Sequence, residues 1–318
     1  MIGLTEENLR WFIEAHSQAL ILERGQRMAQ FAPHTFDFFF CELIAALCAG
    51  ACLVLLPEEV CSGFGLVNLS DMLDRTKVEV VSTTPSVLEL VEPGPHLRRI
   101  YSGGERLPSA LVRRLSREGR EVTNIYGPSE TTIFVLYHRC DPMAEEDPPL
   151  GLPLPGVKLS TRVIDDDDPG AELIIEGACV TPGYLSSTEP GGFLGAQRYA
   201  TGDRLQRNEF GEWEFLGRVD LQCKIAGVRV EPDGVARLLE RHEGVEAAAV
   251  FVEDRETSPW LRAIYRGAAA VDEEELRALL REHLPRAAIP SQFTHRVRWP
   301  TNAHGKLDRA ALLRDEVP

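Results

Sequence analysis

Asn124-Ile-Tyr-Gly-Pro-Ser-Glu-Thr-Thr132 is the stretch on which the reading of this chain turns. A β-prone apolar run, Val122 to Ile125, enters a Gly-Pro turn, and one carboxylate with three hydroxyls follows at once. A strand end thus presents polar groups at one spot, the place where α/β sheets keep their ligands. Alone, the pattern fits an ordinary strand, turn and strand as well, so the flanking sequence has to decide.

Upstream, short apolar strands alternate with helical patterns. Thr5 caps a helix with Glu6 and Glu7 in its first turn and Leu9, Phe12 and Ile13 as its apolar face. A second helix starts near Asp37, and a buried strand follows at Cys52–Leu56. The alternation continues with a helix at Leu69–Arg75, a strand at Val78–Ser82 and a helix at Pro85–Leu90. A strand at Arg99–Ser102, a helix at Pro108–Arg117 and the strand Val122–Ile125 complete it. This order predicts an α/β fold, a layered and mostly parallel sheet with helices on both faces.

Downstream of Thr132 the texture changes to strands separated by Gly and Pro: Ile133–Tyr137, Lys158–Ile164, Glu172–Ile175 and Trp213–Leu216, a small antiparallel β subdomain. The acids Asp165 to Asp168 before Pro169-Gly170 read as a solvated hairpin turn rather than a metal site. From Leu221 onward come a strand at Lys224–Val230, a helix at Val235–His242 and strands at Glu246–Val252 and Leu261–Tyr265. A helix at Glu273–His283 and a strand at Phe293–Arg298 complete a C-terminal α+β domain of about a hundred residues. The predicted organisation is a partial α/β core domain carrying the site over 1–150, the β subdomain over 151–219 and the C-terminal domain over 220–318.

Composition limits the partners. With 318 residues, 44% hydrophobic and 26% charged, the chain reads as globular and soluble. A formal charge of −15 argues against nucleic acid or an anionic membrane. The longest apolar stretch, Leu43 to Leu56, is broken by Gly50 and is too short to span a bilayer, and no signal peptide opens the chain. Seven cysteines with no Cys-x-x-Cys pair predict reduced thiols in a cytoplasmic protein. Cys41 and Cys48, one heptad apart, are expected to pack as small hydrophobes.

Several stretches occur in a fixed order: Phe36-Asp37-Phe38-Phe39-Phe40-Cys41-Glu42, Ser102-Gly103-Gly104-Glu105, the Asn124–Thr132 turn and Gly183-Tyr184-Leu185. Tyr199-Ala200-Thr201-Gly202-Asp203, Gly217-Arg218-Val219-Asp220 with Gln222-x-Lys224-Ile225-x-Gly227-x-Arg229, and Gly305-Lys306-Leu307-Asp308-Arg309 follow. As a set over nearly the whole chain, this resembles the adenylation domains of nonribosomal peptide synthetases, within the adenylate-forming ligases. The resemblance implies a ligase that activates an amino acid with ATP and Mg2+, in peptide antibiotic biosynthesis.

By that resemblance Glu130 holds Mg2+, Tyr126 stacks on adenine, and Asp203 accepts hydrogen bonds from the ribose hydroxyls with Arg218 nearby. Gly104, Glu105, Arg106, Asn124, Gly127 and Ser129 are the further nucleotide-binding positions it implies. Lys306 falls at the family's catalytic lysine, bridging substrate carboxylate and phosphate, and Asp220 at the hinge about which a mobile C-terminal domain rotates. Asp37 matches the acid that pairs with the substrate α-ammonium. The remaining pocket positions are Phe38, Cys41, Ser82, Tyr101, Gly103, Ile125, Ile133 and Phe134. This mostly apolar lining has no charge to neutralise a charged side chain, so a small to medium, largely uncharged amino acid is expected.

One family feature is not found. The Ser/Thr- and Gly-rich phosphate loop ending in Pro-Lys-Gly does not occur in these 318 residues, and Gly191-Gly192-Phe193-Leu194-Gly195 has neither the Lys nor the hydroxyls. The resemblance places that loop just before Met1, so the chain reads as an N-terminally truncated or split domain. A second polypeptide or an upstream segment is expected to supply the loop and to cover an open sheet edge. A carrier protein with a phosphopantetheine arm, acting in trans, and a small helper protein are the other implied partners. The competing readings are a non-catalytic binding or regulatory fragment and an acyl- or aryl-CoA ligase, the latter disfavoured by Asp37.

Overall fold

A computed structural model describes residues 1–61, 63–164, 170–185, 192–219, 222–225, 227–253, 259–300 and 309–313. The chain divides into two compact units, Met1–Val219 and Asp220–Pro318.

The first unit alternates as the apolar spacing demands: α1 (Glu6–Ala15), β1 (Arg27–Gln30), α2 (Phe38–Ala49), β2 (Cys52–Leu55), α3 (Leu69–Arg75) and β3 (Val80–Thr83). Then come α4 (Pro85–Leu88), β4 (Arg99–Gly103), α5 (Ser109–Leu115), β5 (Glu121–Tyr126), β6 (Leu136–Arg139) and β7 (Leu152–Pro153). These strands form a seven-stranded sheet in the order β2-β1-β3-β4-β5-β6-β7. Neighbours from β2 to β5 pair in parallel, while β5–β6 and β6–β7 are antiparallel.

Alternation along each strand sends successive side chains to opposite faces. Met28, Val80, Tyr101 and Ile125 join one core with residues of α1 and α2. Their neighbours Ala29, Val81, Ile100 and Val122 join a second core with residues of α3, α4 and α5. The parallel strands are therefore covered on both faces, as such sheets require.

A four-stranded antiparallel sheet, ordered β11-β10-β9-β8, follows: β8 (Lys158–Val163), β9 (Ala171–Glu176), β10 (Arg198–Arg207) and β11 (Trp213–Arg218). Its Leu173, Ile175, Tyr199, Leu205 and Trp213 belong to the same core as Phe12 and Phe134, so it packs onto the large sheet's α1–α2 side.

The second unit opens with a hairpin of β12 (Cys223–Ile225) and β13 (Val228–Val230). Then come α6 (Pro232–Leu239), β14 (Ala247–Glu253), β15 (Trp260–Arg266), α7 (Glu273–Arg281), β16 (Gln292–Arg296) and α8 (Arg309–Leu313). β14, β15 and β16 form a three-stranded sheet. Leu239 of α6 and Leu276 and Leu280 of α7 close over its Val250, Ala263, Tyr265 and Phe293, giving this unit its own core.

Several local expectations are corrected. α1 buries Asn8, Trp11, Phe12 and Ala15, while Ile13 faces out; the Trp11 indole donates to Pro155 O at 2.8 Å and sets that rotation. Ile133–Tyr137 is not one strand of the small β unit. Thr132 and Ile133 have positive φ, the chain turns there, and β6 begins at Leu136 on the large sheet. Lys224–Val230 is broken by Gly227 at φ +76°, a turn that makes the segment a hairpin. β1 and β10 went unpredicted; Arg27–Gln30 carries only two buried residues between polar ones. Cys48 is exposed, whereas Cys41 is buried.

Candidate functional site

The site starts with a helix that does not use its own cap. Asp37 stands at the N-cap of α2, yet its carboxylate makes no capping bond there. It instead accepts a hydrogen bond from the Ser129 hydroxyl, 92 positions away in the turn after β5. The candidate substrate acid and the candidate nucleotide turn thus meet.

On the same turn the Tyr126 hydroxyl donates to Asp203 Oδ2. Burial, and after it the Asp203 carboxylate, push the Tyr126 phenol well above its ordinary range, so it remains a donor. Asp203 also takes the Arg218 guanidinium on Oδ1, its partner in the β10–β11 register. The Thr-Gly-Asp loop is braced from beneath: Asp203 N donates to Thr201 Oγ1 at 3.0 Å, and Gly202 N to Glu172 Oε1 at 3.1 Å. The ladder shifts register around this loop, which aims the Asp203 side chain out of the regular pleat.

Glu130, the residue after Ser129, is fully buried. Its backbone carbonyl accepts from Thr181 N at 2.9 Å and its Oε1 from the Tyr184 hydroxyl. Past Thr131, Thr132 and Ile133 sit at φ +60° and +73°. Positive φ is rare for β-branched residues and is strain that the surroundings must hold. Here the Thr132 hydroxyl donates to Cys179 O at 2.6 Å, in the interior. The reversal turns Ile133 and Phe134 inward.

The pocket candidates converge. Phe38, Cys41, Tyr101, Ile125, Ile133 and Phe134 all lie in one core cluster, and Ser82 pairs with Tyr101 across β3–β4. Gly103 pairs with Ile125, and a Cβ there would stand 2.4 Å from Ile125 O. Cys41 is held well above its ordinary range by burial, then by Glu42 and Asp37, so it stays a neutral thiol. The Tyr101 hydroxyl accepts from Ile21 N at 2.9 Å, and burial pushes its phenol up to about 12.

Other candidates have structural partners of their own. Asn124 donates to Pro149 O at 2.8 Å. Gly127 lies so close to Phe134 that a Cβ would come within 2.5 Å of its Cα. Gly104 takes a left-handed φ of +88° after β4. Glu105 accepts from Ser86 N and Oγ, and Arg106 turns outward to Asp147 at 2.6 Å. Lys306 and Asp220 lie outside the described residues, as do Asp165–Asp168. Sequence reasoning passed over Glu172, 30 positions from Gly202 and without a local signal, and gave Tyr184 no role although it stood in a quoted motif.

Among the described residues no group of three or more His, Cys, Asp and Glu side chains is arranged to hold an ion. The Ser129, Thr131 and Thr132 hydroxyls donate to Asp37, Pro128 O and Cys179 O, which leaves the Glu130 carboxylate as this turn's candidate oxygen ligand. That fits Mg2+, which is commonly held by one or two carboxylates together with substrate phosphates and water.

The sequence profile of the AMP-binding enzymes matches residues 2–185, more than half of the chain. The chain belongs to the AMP-binding enzyme family. Its sequence is 37% identical over 315 residues, 92% of the chain, to a probable non-canonical nonribosomal peptide synthetase, CymA, of Salinispora arenicola. It resembles holo-PA1221, a nonribosomal peptide synthetase protein containing adenylation and PCP domains, at a TM-score of 0.75 and 27% identity over 93% of the chain. It shares its fold with the adenylation domain AlmE of Vibrio cholerae, solved with glycyl-adenosine-5'-phosphate, at a TM-score of 0.82 and 22% identity over 99% of the chain. This AMP-binding chain spans 4% of the length of CymA, 54% of PA1221 and 64% of AlmE. Among its described residues no helix is long and apolar enough to cross a membrane.

Proposed function

We propose that this chain forms the amino-acid and ribose-binding part of an adenylation domain acting in nonribosomal peptide synthesis. In that reaction a carboxylate oxygen of the amino acid attacks the α-phosphorus of ATP. An O–P bond forms, the bond to the β-phosphate oxygen breaks, and pyrophosphate leaves with that electron pair. The aminoacyl group then passes to a carrier-protein thiol acting in trans.

The observation that carries this reading is the convergence of two acids on one turn: Asp37 on Ser129 and Asp203 on Tyr126. Asp37 holds the α-ammonium group at the mouth of a pocket lined by Phe38, Cys41, Tyr101, Ile125, Ile133 and Phe134. Asp203, set by Arg218 and Tyr126, accepts from the ribose hydroxyls. Glu130 would hold Mg2+, which when bound offsets the charge of the phosphates. Lys306 supplies the cation at the substrate carboxylate. The neutral lining selects a small to medium uncharged side chain, because a buried charge without a partner is costly. A phosphate loop whose amides hold the departing pyrophosphate is supplied from outside these 318 residues. Seven free cysteines suit a reducing cytoplasmic setting.

Two measurements test the proposal. With the polypeptide that supplies the phosphate loop present, amino-acid-dependent ATP–pyrophosphate exchange across a panel is expected to favour an uncharged side chain, with Asp37→Ala abolishing it. Preference for a basic or acidic amino acid would refute the substrate reading. Amino acid that raises the melting temperature without any exchange would point to a binding fragment.

A further inference from the structure

Glu130 is held from a part of the chain far from its own turn. The Tyr184 hydroxyl reaches its Oε1 across 54 positions, although Glu130 is fully buried. Tyr184 is itself fixed twice over. Its backbone bridges Ile2 in antiparallel fashion, with Gly3 N donating to Gly183 O at 3.2 Å and Leu185 N to Met1 O at 2.9 Å. Its ring meets Phe193 edge-on, centroids 5.6 Å apart, and Phe193 in turn meets Tyr199 at 5.0 Å. Tyr199 lies four residues before Asp203 on β10.

We infer that Tyr184 is a positioning residue for the metal-binding carboxylate, and that the ladder Tyr184–Phe193–Tyr199 ties its orientation to the strand carrying the ribose acid. The inference rests on the proposal that Glu130 holds Mg2+. A hydroxyl donor on one carboxylate oxygen sets the plane in which the group meets an ion. Being neutral, it orients the carboxylate without cancelling its charge, as Lys or Arg would. Removing such an outer partner typically costs about 10- to 100-fold in metal affinity. The strained Thr132-Ile133 step beside Glu130 makes an external anchor the more necessary.

The test is Tyr184→Phe, which keeps the ring against Phe193 and removes only the hydroxyl. Nucleotide binding is measured by calorimetry at fixed ATP while Mg2+ is titrated, for wild type, Tyr184→Phe and Glu130→Gln. The expected result is an Mg2+ midpoint raised about 10-fold or more in Tyr184→Phe, with Mg2+-free ATP binding near wild type and the free chain still unfolding cooperatively. Glu130→Gln removes the Mg2+ enhancement. Enhancement in wild type with an unshifted midpoint in Tyr184→Phe overturns the role of Tyr184 alone. Wild-type binding indifferent to Mg2+ overturns the metal reading, and this inference with it.

Discussion

At the scale of single residues, the chain spends buried charge where the site needs fixed geometry. Glu42, fully buried on α2, accepts from Phe31 N at 3.0 Å and Ala32 N at 3.1 Å and so pins the segment leading to Asp37. Burial pushes its carboxyl up to about 8 from an ordinary 4.5, against the pull of those backbone donors. Between these two values the folded chain holds a proton that the unfolded chain has released. The stability contribution is therefore full below about pH 4.5 and is lost as pH rises towards 8. Melting temperatures across that window should fall in wild type and lose this slope in Glu42→Gln. Asp203 makes the opposite case, a buried carboxylate kept with its cation. Asp203→Ala takes the carboxylate partner from both Arg218 and Tyr126, so chemical denaturation should show a loss of about 3–5 kcal/mol. Tyr126→Phe removes one donor to a charged group and should cost about 1.5–3 kcal/mol. Asp37, Glu130 and Asp203 could be singled out as candidates in the sequence because each stands in a distinctive ordered motif. Glu172 was not, since only the β9–β10 ladder brings it under the Thr-Gly-Asp loop.

At the scale of elements, close backbone approach decides where glycine is required. β4 and β5 run in parallel with Gly103 opposite Ile125, and a Cβ at Gly103 would lie 2.4 Å from a carbonyl oxygen. Gly127, where β5 leaves the sheet, would set a Cβ 2.5 Å from the Phe134 backbone. Neither obstacle is the end of a flexible side chain, so the sheet itself would have to shift. Gly103→Ala and Gly127→Ala should each lose about 1–3 kcal/mol, read as a lower denaturation midpoint with an unchanged slope. The alternating pattern made the parallel order of β3, β4 and β5 legible, because each strand is apolar on both faces and bounded by turn residues. The same rule misjudged Ile133–Tyr137. An apolar run reads as a strand whatever its backbone does, and the positive φ of Thr132 and Ile133 leaves no mark in composition. Those two residues bend the chain so that Ile133 and Phe134 enter the core beside Tyr101 and Ile125, a placement visible only once the tertiary bond from Thr132 to Cys179 exists.

At the scale of the molecule, the division at Val219/Asp220 cuts through no hydrophobic cluster of the described residues: two belong to the first unit and two to the second. In the first, α1, α2 and the small sheet close on the large sheet; in the second, α6 and α7 close on β14, β15 and β16. Each unit of this kind carries the burial needed to unfold on its own. Calorimetry should therefore show two transitions. Asp37, the proposed pocket residues and Asp203 all belong to Met1–Val219, so amino acid or nucleotide should raise the transition of that unit. Lys306 belongs to the other unit, and its proposed work is a charge delivered to the substrate carboxylate. Lys306→Ala should then leave both melting transitions and the ligand-induced shift in place while exchange falls by at least about 100-fold, the scale set by removing one donor from a charge-stabilising site. Unchanged exchange in Lys306→Ala would take the lysine out of the reaction. A ligand shift lost together with exchange would assign Lys306 to binding rather than to the chemical step.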